Sequence, residues 1–185
     1  MFSVKQLFWK KNIISKSDEP FLLSSGQESN IYIDCSKILS SVSLTGIIID
    51  KLRELILIDK KIFTYYRYLI SGVPSKGTVF ASMLSYNLEI PMILLRKESK
   101  SHGCNKYKMI EGKYEEGEEV ILVEDIITTG KSVKKYVEIL RDKNLEVKNV
   151  YCIVIRDESV IDDFKSLGIK LSYILTLDEL LEYDK

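Results

Sequence analysis

Residues 120–133 have the sequence Val-Ile-Leu-Val-Glu-Asp-Ile-Ile-Thr-Thr-Gly-Lys-Ser-Val. The apolar residues at its start predict a buried strand, and the Thr-Thr-Gly sequence predicts a turn that leads into a helix. On both sides of this segment, apolar strands alternate with helical patterns along the chain. This alternation predicts an α/β fold, in which a central, mostly parallel sheet is flanked by helices.

The predicted elements place several polar turns at one edge of that sheet. Strands are predicted at 68–71, 91–95, 119–123, 150–155 and 169–175, preceded by extended segments at 21–24 and 30–34. Helices are predicted at 4–8, 44–57, 76–87 and 132–143, between the last two strands, and at 178–183, with a long loop over 96–118. Parallel α/β sheets bind ligands beyond the carboxyl ends of their strands, so we expect the functional site there.

The composition excludes several kinds of protein. The chain has 185 residues, 45% of them apolar, which predicts a single domain over 1–185 and excludes wholesale disorder. Its 27 Lys and Arg balance 27 Asp and Glu, so the net charge favours neither nucleic acid nor an anionic membrane as a partner. No apolar segment reaches the ~18 residues of a membrane span. Cys35, Cys104 and Cys152 show neither disulfide nor metal-ligand spacing, which favours a reducing cytoplasm.

Glu124 and Asp125 directly follow the strand in the quoted segment, and a hydroxyl-rich turn comes next. Gly130 permits a tight backbone, and the N–H groups at the start of a helix bind phosphate well. Two carboxylates would repel that phosphate. We therefore expect them at an exposed strand end, where they accept hydrogen bonds from sugar hydroxyls with a magnesium ion nearby.

Two other interpretations of this segment are weaker. Gly130-Lys131-Ser132 matches the end of a Walker A loop, but that motif requires a glycine five residues earlier, where this chain has Asp125. A solvated strand end followed by a helix cap would not explain why acids, hydroxyls and glycine coincide. The segment instead resembles the phosphoribosyl pyrophosphate (PRPP) motif of type I phosphoribosyltransferases. In that family the paired acids hold the ribose hydroxyls, and the Thr-Thr-Gly loop holds the 5-phosphate.

A second group of residues, the cationic segment 96–103, has the sequence Arg-Lys-Glu-Ser-Lys-Ser-His-Gly. It opens a long polar loop, and such loops in compact domains are more often functional or disordered than structural. Cations that close over a departing pyrophosphate would stabilise its charge and exclude water. The alternative is a solvated group of charges with an exposed histidine.

The pattern Arg-Lys-x-x-Lys-x-His-Gly is similar to that of orotate phosphoribosyltransferases, and the resemblance covers most of the chain. Residues 25–34, Ser-Gly-Gln-Glu-Ser-Asn-Ile-Tyr-Ile-Asp, resemble the family's base-site segment, and 72–77, Gly-Val-Pro-Ser-Lys-Gly, resemble its pyrophosphate loop. Glu28 and Asn30 depart from it, at positions where many relatives have lysine and proline.

Arg156 follows a predicted strand and matches the family's arginine that binds the orotate carboxylate. The chemistry supports this independently, because a carboxylated base needs a cation and the planar guanidinium suits a carboxylate. A surface ion pair of Arg156 with Asp157 or Glu158 is the alternative. Tyr32 would lie against the pyrimidine ring, although a lone aromatic residue is more often part of a core.

The resemblance implies the type I phosphoribosyltransferase fold, with a small N-terminal hood (1–40) and a PRPP-binding core (41–185). It implies transfer of the phosphoribosyl group of PRPP to orotate, giving orotidine 5′-phosphate and pyrophosphate in UMP biosynthesis. The implied catalytic residues are Lys100, His102 and Asp125. The residues implied to bind PRPP are Lys76, Arg96, Lys97, Lys100, His102, Glu124, Asp125, Ile126, Ile127, Thr128, Thr129, Gly130, Lys131 and Ser132, and those implied to bind orotate are Tyr32, Thr128 and Arg156.

The resemblance also implies a cofactor and partners. Magnesium would bind through PRPP without direct protein ligands, with Asp125 contacting it through water. A homodimer is implied in which Lys97, Lys100 and His102 complete the partner's site. The chain ends soon after its last predicted helix, so we expect the transferase alone. The sequence leaves open whether an orotidine-5′-phosphate decarboxylase associates with it.

The sequence also permits two alternative functions. A purine phosphoribosyltransferase would use the same PRPP loop with a neutral base, but it leaves Arg156 and the cationic segment unexplained. A non-catalytic PRPP-binding regulator usually needs a surface for DNA or RNA, and this chain is neutral.

Overall fold

The computed structural model describes residues 3–23, 26–59, 67–99 and 108–183. Its centre is a four-stranded parallel sheet with the strand order β3-β6-β7-β8. The strands are β3 (Tyr68–Gly72), β6 (Glu119–Ile127), β7 (Asn149–Ile155) and β8 (Lys170–Thr176). Every residue of β7 is buried, as expected for a strand that is covered on both faces. The predicted α/β fold with a parallel central sheet is confirmed.

Helices cover both faces of this sheet and enclose an apolar core on each. The helices are α1 (Val4–Lys10), α2 (Ser36–Leu39), α3 (Val42–Asp59), α4 (Lys76–Leu88), α5 (Lys131–Arg141), α6 (Ser159–Ser166) and α7 (Leu177–Glu182). On one face, α3 and α4 contribute Leu44, Leu52 and Phe80 to a core with Ile121 of β6. The other core contains residues of α5 and α6. No helix in the described ranges is long and apolar enough to cross a membrane.

A separate antiparallel hairpin lies in the N-terminal region and is formed by β1 (Ile14–Leu22) and β2 (Glu28–Ile33). Its strands overlap the extended segments predicted at 21–24 and 30–34, although Ser24 lies outside the described residues and β1 begins much earlier than predicted. The first and last helices are in contact, because the Trp9 indole N–H donates to the Leu180 carbonyl over 2.8 Å. Lys5 and Glu179 add an ion pair between the same two helices at 3.2 Å.

The segment predicted as a strand at 91–95 is divided between two pairings. Its first part follows the outer edge of β3, where Met92 bridges Ile70 in parallel and the Ser71 hydroxyl donates to the Ile93 carbonyl over 2.9 Å. The chain then turns, and β4 (Leu94–Leu95) pairs antiparallel with β5 (Ile110–Glu111). The loop predicted over 96–118 therefore contains a short strand. A strand of two residues is too short to show a periodic pattern in the sequence.

Candidate active site

A cavity of about 520 Å³ opens at the carboxyl ends of β3, β6 and β7. Its lining includes residues from the hairpin, from the loop before α4, from the end of β6 and from the start of α5. Most of the predicted site residues meet here. Those that line it are Tyr32, Lys76, Lys97, Glu124, Asp125, Ile126, Ile127, Thr128, Thr129, Gly130, Lys131, Ser132 and Arg156.

Glu124 and Asp125 lie within β6 rather than after it, because the strand continues through Ile126 and Ile127. They are 7% and 9% exposed, so the prediction of an exposed strand end is wrong, although both residues line the cavity. Glu124 Oε1 accepts a hydrogen bond from the Asp125 N–H over 2.8 Å. Burial, together with the hydrogen bond and charge of Asp125, raises the pKa of Glu124 well above its ordinary value.

The start of α4 approaches this carboxylate pair closely. A Cβ added at Gly77 would lie 2.5 Å from the Val123 carbonyl oxygen, so only glycine fits between the helix and β6. This approach brings Lys76 to the cavity, where its Nζ lies 3.4 Å from Asp125 Oδ2. Burial lowers the pKa of Lys76, but attraction to Asp125, with a smaller contribution from Asp34, more than offsets it and the pKa is raised. Lys76 is therefore a charged residue at neutral pH.

The phosphate-binding turn, residues 128–132, connects β6 to α5. Gly130 has a φ of +69° and caps α5, which begins at Lys131, one residue before the predicted start. A Cβ at Gly130 would also lie 2.7 Å from the Phe164 ring, so the backbone conformation and the packing both require glycine. The first N–H groups of a helix lack partners within the helix, and here they lie at the cavity. The turn is built to bind an anion.

Arg156 lies where β7 ends and faces the hairpin. Its Nη2 donates to Ser29 Oγ over 2.7 Å and to the Ile31 carbonyl over 3.0 Å, so its contacts are not those of a surface ion pair. Burial lowers the pKa of Arg156, but an arginine remains cationic at neutral pH. Tyr32 is 42% exposed and lies 5.5 Å from the Phe21 ring, so it is a cavity residue rather than a core residue.

A second cavity of about 760 Å³ adjoins the first one. Leu23, Thr128 and Arg156 line both, so these three residues lie between the cavities. The second cavity is also lined by the carboxylates of Glu28, Asp157, Glu158 and Asp178. A cation in such surroundings has several competing partners.

The cationic segment is only partly brought to the cavity. Lys97 lines it, whereas Arg96 is absent from its lining and forms an ion pair with Glu111. Lys100 and His102 lie outside the described residues. The first residue of the cationic segment contacts α5, because the Tyr136 hydroxyl donates a hydrogen bond to the Arg96 carbonyl over 3.0 Å.

Sequence reasoning missed two residues near the site. Tyr136 carries no sequence signal for its contact with Arg96, because the two are 40 residues apart. Ser29 lies in the segment 25–34 that resembles the family's base site. That resemblance is the sequence signal that points to Ser29. Leu22, Leu23, Pro74 and Ser75 also line the cavity, and the peptide bond between Pro74 and Ser75 is cis.

The site offers oxygen ligands for a metal ion. Among the described residues, no three His, Cys, Asp or Glu side chains are grouped closely enough to hold an ion. The adjacent carboxyl groups of Glu124 and Asp125 nevertheless provide oxygen atoms, the ligand type that magnesium accepts, directly or through water. The residues present thus fit a magnesium ion whose other ligands come from a substrate.

Comparisons with known proteins agree with this geometry. The family model described as "Phosphoribosyl transferase domain" matches residues 43–166. Orotate phosphoribosyltransferase of Sinorhizobium fredii is 33% identical over 181 residues, covering 96% of this chain and 76% of that relative. Uridine 5′-monophosphate synthase of Caenorhabditis elegans is 31% identical over 164 residues, covering 88% of this chain and 32% of the synthase. The crystal structure of orotate phosphoribosyltransferase from Aeropyrum pernix is similar with a TM-score of 0.80 and 28% identity, over 98% of both chains.

Proposed function

The chain belongs to the orotate phosphoribosyltransferase family, and we propose on this premise that it transfers the phosphoribosyl group of PRPP to orotate. The products would be orotidine 5′-phosphate and pyrophosphate, in the synthesis of UMP. The observation that carries the proposal is the position of Arg156, a cation at the same cavity as the carboxylate pair and the phosphate-binding turn. A purine base has no carboxylate, so a purine phosphoribosyltransferase gives Arg156 no role.

The donor is positioned by β6 and the turn that follows it. In the proposal, the N–H groups and hydroxyls of residues 128–132 bind the 5-phosphate, and Glu124 and Asp125 accept hydrogen bonds from the ribose hydroxyls. Backbone N–H groups at a helix start provide fixed positive dipoles, which bind an anion without reorganisation. The reacting carbon C1 is thereby held between the base and the leaving group.

The acceptor is positioned by Arg156, Tyr32 and Thr128. Arg156 binds the carboxylate of orotate, Tyr32 packs against the ring, and Thr128 donates a hydrogen bond to it. The ring nitrogen then attacks C1 while the bond to pyrophosphate breaks, with positive charge developing on the ribose. Holding the two reactants at this geometry supplies much of the rate enhancement.

The leaving group is stabilised by cations. Lys76 and Lys97 line the cavity and would neutralise the charge that develops on pyrophosphate. Lys100 and His102 are proposed to act with them on the same charge. Magnesium would supply further positive charge at the leaving group, and Asp125 is the residue that would hold it through water.

We also propose a homodimer in which the cationic segment of one subunit completes the site of the other. The exposed side chains of Val79, Met83 and Tyr86 support an interface, because they form an apolar stripe along α4. The similarity to a uridine 5′-monophosphate synthase supports a decarboxylase as a further partner, since UMP differs from orotidine 5′-phosphate by loss of the carboxylate. A cytoplasmic location is supported by the free thiols of Cys35 and Cys152.

The test is the loss of orotate absorbance when PRPP and magnesium are added to the protein. Orotate should be consumed and orotidine 5′-phosphate formed, while adenine and hypoxanthine should give no product. An Arg156→Ala variant should lose activity with orotate, since it removes the proposed carboxylate ligand. Turnover of a purine instead of orotate would contradict the proposal, and tight PRPP binding without turnover would favour a regulator.

A further inference from the structure

The hydroxyl of Ser29 uses all its hydrogen-bonding capacity in a contact with Arg156. It accepts from the Arg156 Nη2 over 2.7 Å and from the Ile31 N–H over 3.1 Å, and it donates to the Ile31 carbonyl over 3.2 Å. A serine hydroxyl has one donor and two acceptor sites, so all three are occupied. The backbone of β2 thus fixes the direction in which Ser29 presents its oxygen to the arginine.

The same contact fixes one nitrogen of the guanidinium. Nη2 carries two protons, one donated to Ser29 Oγ and the other to the Ile31 carbonyl over 3.0 Å. As far as the described residues show, the donors on Nε and Nη1 are left for a ligand. Arg156 is therefore held by the hairpin on one side while it lines the cavity on the other.

Other partners compete for this guanidinium. Asp157, Glu158 and Asp178 line the second cavity together with Arg156 and Ser29. A carboxylate attracts a guanidinium more strongly than a neutral hydroxyl does. An arginine that lost the Ser29 contact would have acidic alternatives, and each of them would draw it away from a substrate carboxylate.

We propose that Ser29 is a positioning residue, which directs Arg156 at the base and so determines the preference for a carboxylated pyrimidine. This inference rests on the proposed function, in which Arg156 binds the orotate carboxylate. Ser29 itself does not line the first cavity, where the substrates would bind. Its effect should therefore be confined to the affinity for carboxylated ligands.

The kinetic test compares Ser29→Ala with Ser29→Thr and with a matched control, Ser17→Ala, on the neighbouring strand. The Ser17 hydroxyl accepts from the exposed Glu19 N–H, and Ser17 does not line either cavity. Ser29→Ala should raise the KM for orotate about tenfold, the effect of one hydrogen bond to a charged group. The KM for PRPP should stay within about twofold, and Ser29→Thr should restore most of the orotate affinity.

A binding test distinguishes positioning from a general disturbance of the cavity. Orotidine 5′-phosphate and UMP differ only in the carboxylate. The affinity for orotidine 5′-phosphate divided by the affinity for UMP therefore measures how strongly the carboxylate is bound. Ser29→Ala should reduce this ratio about tenfold and leave the UMP affinity unchanged. An unchanged ratio, or equal weakening of both nucleotides, would overturn the inference. A wild-type protein that makes no orotidine 5′-phosphate would instead overturn the proposed function.

Discussion

Lys76 Nζ and Asp125 Oδ2 lie 3.4 Å apart at the cavity, although the two residues are proposed to hold opposite ends of one substrate. Their ion pair keeps a cation and a carboxylate in place at the point where the pyrophosphate and ribose of PRPP would meet. Substrate binding then exchanges one charge-assisted contact for others, which limits the energetic cost of ordering these side chains.

The first prediction concerns Lys76. Lys76→Ala should raise the KM for PRPP and lower kcat/KM by roughly 30-fold, about 2 kcal/mol, because a charge-assisted contact is lost. Steady-state kinetics with PRPP as the varied substrate measures this. Lys51→Ala, which removes an exposed lysine of α3, is the control and should behave like the wild type. Equal kinetics for both variants would exclude Lys76 from the site.

The second prediction concerns the effect of pH on stability through Glu124. Because the pKa of Glu124 is raised in the folded state, the folded protein keeps a proton that the unfolded chain releases. Above pH 4.5, the ordinary pKa, stability should therefore fall as pH rises toward the raised folded pKa. The slope is at most about 1.4 kcal/mol per pH unit for one proton. Glu124→Gln should remove this slope in denaturant unfolding measured at several pH values. Glu138→Gln, on the exposed side of α5, should retain it, and a retained slope in Glu124→Gln would contradict the assignment.

The third prediction compares two glycines with similar positive φ. Gly130→Ala places a methyl group 2.7 Å from Phe164, whereas the methyl group of Gly168→Ala meets nothing within 4 Å. Gly130→Ala should lower the free energy of unfolding by about 3 kcal/mol and raise the KM for PRPP, because the phosphate-binding turn must shift. Gly168→Ala should cost about 1 kcal/mol and leave the KM unchanged. Thermal unfolding and kinetics on both variants would separate packing from backbone strain.

The fourth prediction concerns Asp59, which lies at the end of the sheet opposite to the cavity. Its buried carboxylate accepts hydrogen bonds from Tyr151 over 3.1 Å and from Ser172 over 3.0 Å, and it pairs with Lys170. Asp59→Ala should cost about 3 kcal/mol, because two hydroxyls at the sheet lose their acceptor. Activity per folded molecule should be unchanged. The exposed Asp50→Ala, on the same helix, should alter neither the unfolding midpoint nor the activity.

The fifth prediction tests the shared active sites. Lys100→Ala and Asp125→Asn should each be nearly inactive alone. When the two variants are mixed and allowed to exchange subunits, activity should reappear, because one site of each mixed dimer carries both native residues. Activity should approach about a quarter of the wild-type level if subunits exchange at random. A mixture that stays inactive although mixed dimers form would argue that each subunit uses its own cationic segment.

The sequence was most informative where a residue's chemistry and its neighbours along the chain define its role. Tyr32, Lys76, Arg156 and the turn at 128–132 all line one cavity as predicted, since each follows a strand or lies in a recognisable motif. The burial of Glu124 was not anticipated. Ile126 and Ile127 extend the strand past the acids, and strand ends are poorly defined by local patterns.

Contacts between distant parts of the chain could not be predicted. Arg96 was expected at the pyrophosphate, but the pairing of Leu95 with Ile110 brings it beside Glu111 instead. That pairing joins two strands of two residues each, which leave no periodic signal. The Arg156–Ser29 contact likewise depends on how the hairpin sits against β7, which no local pattern contains.

The contact between Trp9 and Leu180 gives the molecule an intrinsic fluorophore. Trp9 is the single tryptophan, and its indole N–H is bonded to the last helix. Separation of α1 from α7 would expose the indole to water and shift its emission to longer wavelengths. The folding of every variant described above can thus be followed by tryptophan fluorescence, without attaching a dye.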